Sequence, residues 1–253
     1  SNYTNGPSFR SFKPSTSSTR VFPQISTIVS NSTSTWEVLP GTARNLNFVV
    51  SVRDNHQGGG CYATDELRLT VNSSAGPFLV TAPNTPVTWI IGETQNITWN
   101  IANTDQAPIK CSTVDIYLSI DGGFTYPYLL VKDVPNTGSY PIEVPNYQGI
   151  KNRIKVKAHN NVFFDISNTN FTIKEPASPT FIMNIGSNKS AICSEKDTQL
   201  SFVANLSPLA GFNGLVDLTV NNLPSGCTAS INPVQATLPA DITVTLSGLQ
   251  NVL

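Results

Sequence analysis

Val114-Asp115-Ile116-Tyr117-Leu118-Ser119-Ile120-Asp121-Gly122-Gly123-Phe124-Thr125-Tyr126 carries two signals in thirteen residues. Val114, Ile116, Leu118 and Ile120 alternate with polar or amphipathic residues, the period of a strand with one buried face. The run then breaks at Asp121-Gly122-Gly123. A short carboxylate followed by glycine suits a turn: the carboxylate accepts backbone N–H groups, and glycine takes positive φ without strain. Thr125 and Tyr126 resume the chain with an aromatic ring able to pack over the hairpin. A strand, a tight polar turn and a return strand make a β-hairpin.

The same alternation runs outward in both directions. Leu46, Phe48, Val50 and Val52 share one face, as do Leu67, Leu69 and Val71 against Glu66, Arg68 and Thr70. Ile97, Trp99 and Ile101 follow, then Tyr140, Ile142 and Val144, then Ile154, Val156 and Ala158 against Arg153, Lys155 and Lys157. Beyond Phe171 and Ile173 come Leu200, Phe202, Ala204 and Leu206, then Val216, Leu218 and Val220, then Ile242, Val244 and Leu246. No segment keeps a helical period. The fold class expected is all-β, as tandem immunoglobulin- or fibronectin-like β-sandwiches. Polar or Pro-rich seams at 72–77 and 174–179 divide the chain into 1–75, a partial or small β segment; 76–174, a sandwich with seven strand-like runs; and 175–253, a sandwich that stops before its closing strands.

Composition narrows the function. The 253 residues carry 15 Lys and Arg against 16 Asp and Glu, a net charge of −1, so no strong field draws nucleic acid. Charged residues are only 12%, about half the usual share, while Asn, Ser and Thr make up roughly a third. No apolar run reaches the roughly 20 residues of a membrane helix. Seven N-x-[ST] sequons occur, mostly as expected by chance in such a composition. Together with four cysteines, this balance fits a secreted or cell-surface location. No leader is visible at Ser1-Asn2-Tyr3, and the chain reads as an excised piece of a longer protein.

The candidate sites are few. Cys193 and Cys227 are placed to pair within the third segment, and a Cys61–Cys111 bond would staple the first segment to the second. Asp54, Asn55 and Asp65 offer oxygens of the kind Ca²⁺ takes, around the loop His56-Gln57-Gly58-Gly59-Gly60, although a plain turn is the better reading. The two histidines, His56 and His159, fall far short of the three or four convergent ligands of a zinc site and are expected on the surface. No G-x-S-x-G elbow is present. Lys151, Arg153, Lys155 and Lys157 form a basic stripe, expected as a solvated sheet face. Catalysis by this chain is not expected, nor is a cofactor.

Ser119, Asp121, Gly123, Thr125 and Tyr126 match S-x-D-x-G-x-T-[WY], which resembles the Asp-box of sialidases and related β proteins, a structural hairpin in that family. Tyr126 and Tyr128 would be its sugar-facing rings if the hairpin bound carbohydrate. A second resemblance covers residues 7–174. Phe9-Arg10-Ser11-Phe12, Arg20-Val21-Phe22-Pro23-Gln24, Trp36-Glu37-Val38-Leu39-Pro40, Val52-Arg53-Asp54-Asn55, Ile97-Thr98-Trp99-Asn100 and Phe163-Phe164-Asp165-Ile166 resemble the region after the catalytic domain of secreted reprolysin-like zinc metalloproteases of Bacteroidetes-type bacteria. The middle segment also looks like the Ig-like module of Ser/Thr-rich cell-surface proteins. The third, with Gly211-Phe212-Asn213-Gly214, is similar to repeated sandwich modules of secreted bacterial proteins. The family's zinc motif is not in this sequence. The resemblance therefore implies a non-catalytic spacer or binding region, with zinc confined to the catalytic domain and the rest of the parent polypeptide as first partner. A polysaccharide or protein substrate would be the second partner. The alternative is a cell-surface adhesin or carbohydrate-binding module.

Overall fold

The computed structural model describes residues 8–186 and 199–249. Apart from one helix of five residues, α1 (Ile25–Val29), the regular structure is strand. In chain order the strands are β1 (Arg44–Arg53), β2 (Tyr62–Val71), β3 (Leu79–Ala82), β4 (Thr88–Ile90), β5 (Thr94–Asn100), β6 (Thr113–Ser119), β7 (Tyr128–Pro135), β8 (Ser139–Glu143), β9 (Gly149–Ala158), β10 (Phe164–Ile166) and β11 (Phe171–Lys174). They continue with β12 (Thr180–Gly186), β13 (Gln199–Leu209), β14 (Leu215–Asp217), β15 (Thr228–Asn232), β16 (Gln235–Thr237) and β17 (Ala240–Ser247). The protein is all-β, as its alternating pattern requires.

Two compact units emerge: Ser1–Thr88 with Thr94–Ile142 and Gly149–Thr172, and Trp89–Glu93 with Glu143–Gln148 and Ile173–Leu253. In the first unit, β3, β5 and β8 form a three-stranded sheet. The same unit pairs β6 with both β7 and β9, and β10 with β9. The period-two pattern sets the register: Ile116 faces Val156 and Leu118 faces Ile154 across the β6–β9 pair. Val114, Ile116, Leu118, Ile154, Val156 and Ala158 are fully buried, and Ile97 and Trp99 of β5 add to this core. Asp115, Tyr117 and Ser119 stand beside Lys157, Lys155 and Arg153 on the opposite face.

That opposite face is only in part the solvated face expected: Lys151 is exposed, but the rest of the basic stripe along β9 is not. Arg153 is 7% exposed, and Lys155 and Lys157 are half-buried. The N-terminal stretch covers part of it, through the carbonyl of Val29 at the end of α1. The helix has no long apolar period, which is why the sequence pattern does not announce it. Its five residues are held from outside, by Arg153.

The N-terminal stretch forms its own small knot with β1. Phe9, Phe22 and Phe48 pack with ring centroids 4.4–5.8 Å apart. The Arg20 guanidinium stacks 3.8 Å from the centre of Phe12 and 4.4 Å from that of Phe22. Buried Glu37 accepts hydrogen bonds from Arg20 at 2.6 Å and from the Gln24 amide at 2.8 Å. A buried polar group without such partners carries a desolvation cost that these bonds offset.

β1 and β2 form a two-stranded sheet of ten pairs, from Arg44↔Val71 to Arg53↔Tyr62. Phe48 is half-buried in the aromatic knot, but Val50, Val52 and Leu67 on the same face are exposed. These apolar residues share a face as expected, and only its base is covered.

In the second unit, β12-β13-β17-β15 form a four-stranded sheet and β14-β16 a two-stranded one. Their core is Ala204, Leu206, Val216, Ala236, Ile242 and Val244, with Phe202, Phe212, Leu218 and Leu246 packed on it. All but Ala236 and Phe212 are positions that the alternation marks.

Candidate functional site

Asp121 organises the hairpin between β6 and β7. Its Oδ1 accepts the amides of Phe124 at 2.9 Å and Thr125 at 3.0 Å, and the Ser119 hydroxyl at 2.7 Å. Its Oδ2 accepts the Thr125 hydroxyl at 2.7 Å. Ser119 Oγ in turn accepts the Gly123 amide at 2.8 Å. Desolvation would raise the Asp121 pKa, but the hydrogen bonds from Thr125, Ser119 and Phe124 win and bring it down to about 2. The carboxylate is therefore ionised and its acceptor sites are directed into its own turn.

Gly122 and Gly123 both take positive φ, 86° and 100°. At Gly123 the need for glycine is steric as well: a Cβ would lie 2.9 Å from Arg153 Cδ and 3.2 Å from both the Tyr126 hydroxyl and Val29 Cγ2. The hairpin, β9 and α1 thus meet at one point. Arg153 fastens the junction, its Nε donating to Asn170 Oδ1 at 2.7 Å and its Nη1 to the Val29 carbonyl at 3.0 Å. Asn31 Nδ2 adds a bond to the Asn168 carbonyl at 2.8 Å.

Tyr126 lies in this junction, half-buried. Its hydroxyl is buried with no hydrogen-bond partner among the described residues. Burial first, then the neighbouring carboxylates Asp121 and Asp165, hold its pKa well above the ordinary phenol value, against the pull of Arg153. The Lys155 ammonium sits over three rings, 4.4 Å from Tyr126, 4.7 Å from Tyr117 and 5.9 Å from Phe164. Burial, with Lys157 adding to it, lowers its pKa to about 8, whereas the ring faces attract the cation. At the hairpin tip Phe124 is 53% exposed, and Tyr128 is half-buried at the start of β7.

His159, expected on the surface, is half-buried and paired with a carboxylate. Its Nδ1 is 2.8 Å from Oδ1 of buried Asp115, and its Nε2 is 4.0 Å from Asp133. Asp115 also accepts the Asp133 amide at 2.9 Å. Burial opposes ionisation of Asp115, but that amide, His159 and Lys157 together bring its pKa below the ordinary carboxylate value. The hint in the sequence was a carboxylate at a strand position directly opposite a lysine, one residue from a buried stretch; the partner 44 residues on was not readable.

Asp54, Asn55 and Asp65 do not converge on a calcium site. Asp54 Oδ1 accepts the amides of His56 and Cys61, closing the loop as a turn. Asp65 lies up β2, opposite Val50. No group of three or more His, Cys, Asp or Glu able to hold a metal occurs among the described residues. The expected Cys61–Cys111 bond is not formed: both are free thiols, as is Cys227. Cys61 is exposed at the loop of the β1–β2 hairpin, while Cys111 is buried and its thiol donates to the Thr113 carbonyl at 3.3 Å. Burial raises the Cys111 pKa. Cys227 lies 3.6 Å from the Gly248 carbonyl, and Cys193, its expected partner, lies outside the described residues. No helix is long and apolar enough to cross a membrane among the described residues.

The chain matches no protein-family model and no curated protein.

Proposed function

We propose that this chain is a non-catalytic accessory region of a secreted bacterial zinc metalloprotease, built of Ig-like sandwich modules that hold the catalytic domain and its substrate or surface in place. One observation carries this reading. The polar side chains with the most chemical promise are committed to the framework: Asp121 to its turn, Arg153 to α1, and Asp115 to His159. The resemblance of residues 7–174 supplies the family. The test compares the parent protease with and without this region. Turnover of a short soluble peptide stays unchanged on removal, while turnover of a large insoluble substrate, or retention at the cell surface, falls. Equal behaviour on both counts refutes the accessory role, and cleavage of casein by the purified chain refutes the non-catalytic part.

A second reading, a carbohydrate-binding or adhesive module, is favoured by exposed Phe124 beside Tyr128 at the hairpin tip. Under it, Phe124→Ala and Tyr128→Ala abolish binding on a glycan array with the fold intact. Absence of binding by the unaltered chain to every glycan removes it.

A further inference from the structure

The β1–β2 sheet has a free long edge. β2 pairs only with β1, and no other strand of the described residues joins it. All of Tyr62–Arg68 is exposed, with Leu67 at 48% and Tyr62 at 74%. Glu66 and Arg68 make no ion pair among the described residues. Natural sheets guard such edges with charge, proline or a cover, because unpaired backbone groups template another strand. A guard of one sign repels a second copy of itself. Here the signs are opposite and sit one residue either side of Leu67.

We propose that the β2 edge pairs antiparallel with β2 of a second copy, centred on Leu67, joining two hairpins into one four-stranded sheet. A twofold axis normal to a sheet keeps each face on its own side, so residues paired across it have numbers with an even sum. Centring on Leu67 sets Glu66 against Arg68 of the second copy twice over, Asp65 against Leu69, Thr64 against Thr70, and Ala63 against Val71. The neighbouring symmetric registers are worse. Centring on Glu66 opposes two glutamates, and centring on Arg68 opposes two arginines; like charges directly opposed destabilise a strand pair. The β1 register extends the match, since Phe48 lies beside Leu67, and Val52 beside Ala63. A row Phe48–Leu67–Leu67–Phe48 then crosses all four strands. The exposed outer half of each apolar face lands beside the base of the other, where Phe9 and Phe22 pack on Phe48. This inference rests on the hairpin alone and is independent of the protease reading.

The experiment is sedimentation velocity on the full chain across a hundredfold range of concentration. The unaltered chain sediments with twice the chain mass at the upper end. Glu66→Arg and Arg68→Glu each weaken the dimer at least tenfold, and the double variant restores it. In a Cys61→Ser background, Leu67→Cys forms a disulfide-linked dimer, mapped as a 67–67 peptide by mass spectrometry, whereas Leu69→Cys does not. A chain that stays monomeric throughout overturns the proposal. So does a dimer indifferent to both charge reversals, or equal cross-linking at positions 67 and 69. Should either single reversal fail to fold by circular dichroism, the contrast between the two cysteine positions decides alone.

Discussion

Asp121 is a surface-side carboxylate that does interior work. Its pKa lies below the ordinary 3.8, at about 2. The folded state therefore favours the ionised form, so the stabilisation is complete above the unfolded pKa and is lost as pH falls from about 4 to about 2. Asp121→Asn is expected to cost on the order of 1–2 kcal/mol at neutral pH, the scale of a partly solvated charge-assisted hydrogen bond. Denaturant melts of the two proteins should then converge as pH drops to 2, and a constant gap across that range contradicts the assignment. Gly123→Ala combines positive φ with a Cβ pressed on Arg153, and about 1–3 kcal/mol is expected from strain and overpacking. Tyr126→Phe points the other way. Its hydroxyl is buried with no partner among the described residues, so the phenylalanine form should match or exceed the native stability by up to about 1 kcal/mol in the same melts. The thiols separate cleanly by burial: iodoacetamide at pH 8 should label Cys61 in the folded chain and Cys111 only after unfolding, and labelling of both at once contradicts the structure.

At the scale of elements, α1 shows how a segment without helical periodicity becomes ordered. Its five residues bury none of their own side chains deeply, and isolated helices of that length do not persist in water. The carbonyl of Val29 and the side chain of Asn31 tie it to β9 and to the turn before β11. Arg153→Met keeps the apolar stem but removes the donors. It should release α1 to proteolysis, with cleavage near residues 25–32 rising tenfold or more and the strands intact; an unchanged digestion pattern refutes the clamp. The contrast in legibility is instructive. The strands were readable because Ile116 and Ile154 obey a local period imposed by one buried face. The turn at Asp121 was readable because its hydrogen bonds span no more than four residues. The Arg153–Val29 and His159–Asp115 contacts span 124 and 44 residues. A local pattern holds no record of them, so the basic stripe reads as solvated and His159 as a surface residue. Likewise, an even count of cysteines says nothing of whether their chains meet.

For the whole molecule, the two cores follow the same rule and can be tested separately. Leu206 and Ile242 belong to the second unit's core and are each 1% exposed. Ile242→Ala should cost about 2–5 kcal/mol by the transfer and cavity terms together, read as a lowered denaturation midpoint. A loss under 1 kcal/mol contradicts so tight a site. The clamp at Arg153 also has a temporal side. Translation at roughly 5–20 residues per second separates Val29 from Arg153 by about 6–25 s. During that interval α1 lacks its Arg153 and Asn168 partners, and that contact closes only when the chain from β9 to β11 has arrived. In a polypeptide built this way the early hairpin can pair as it emerges, but the clamp that orders α1 closes late.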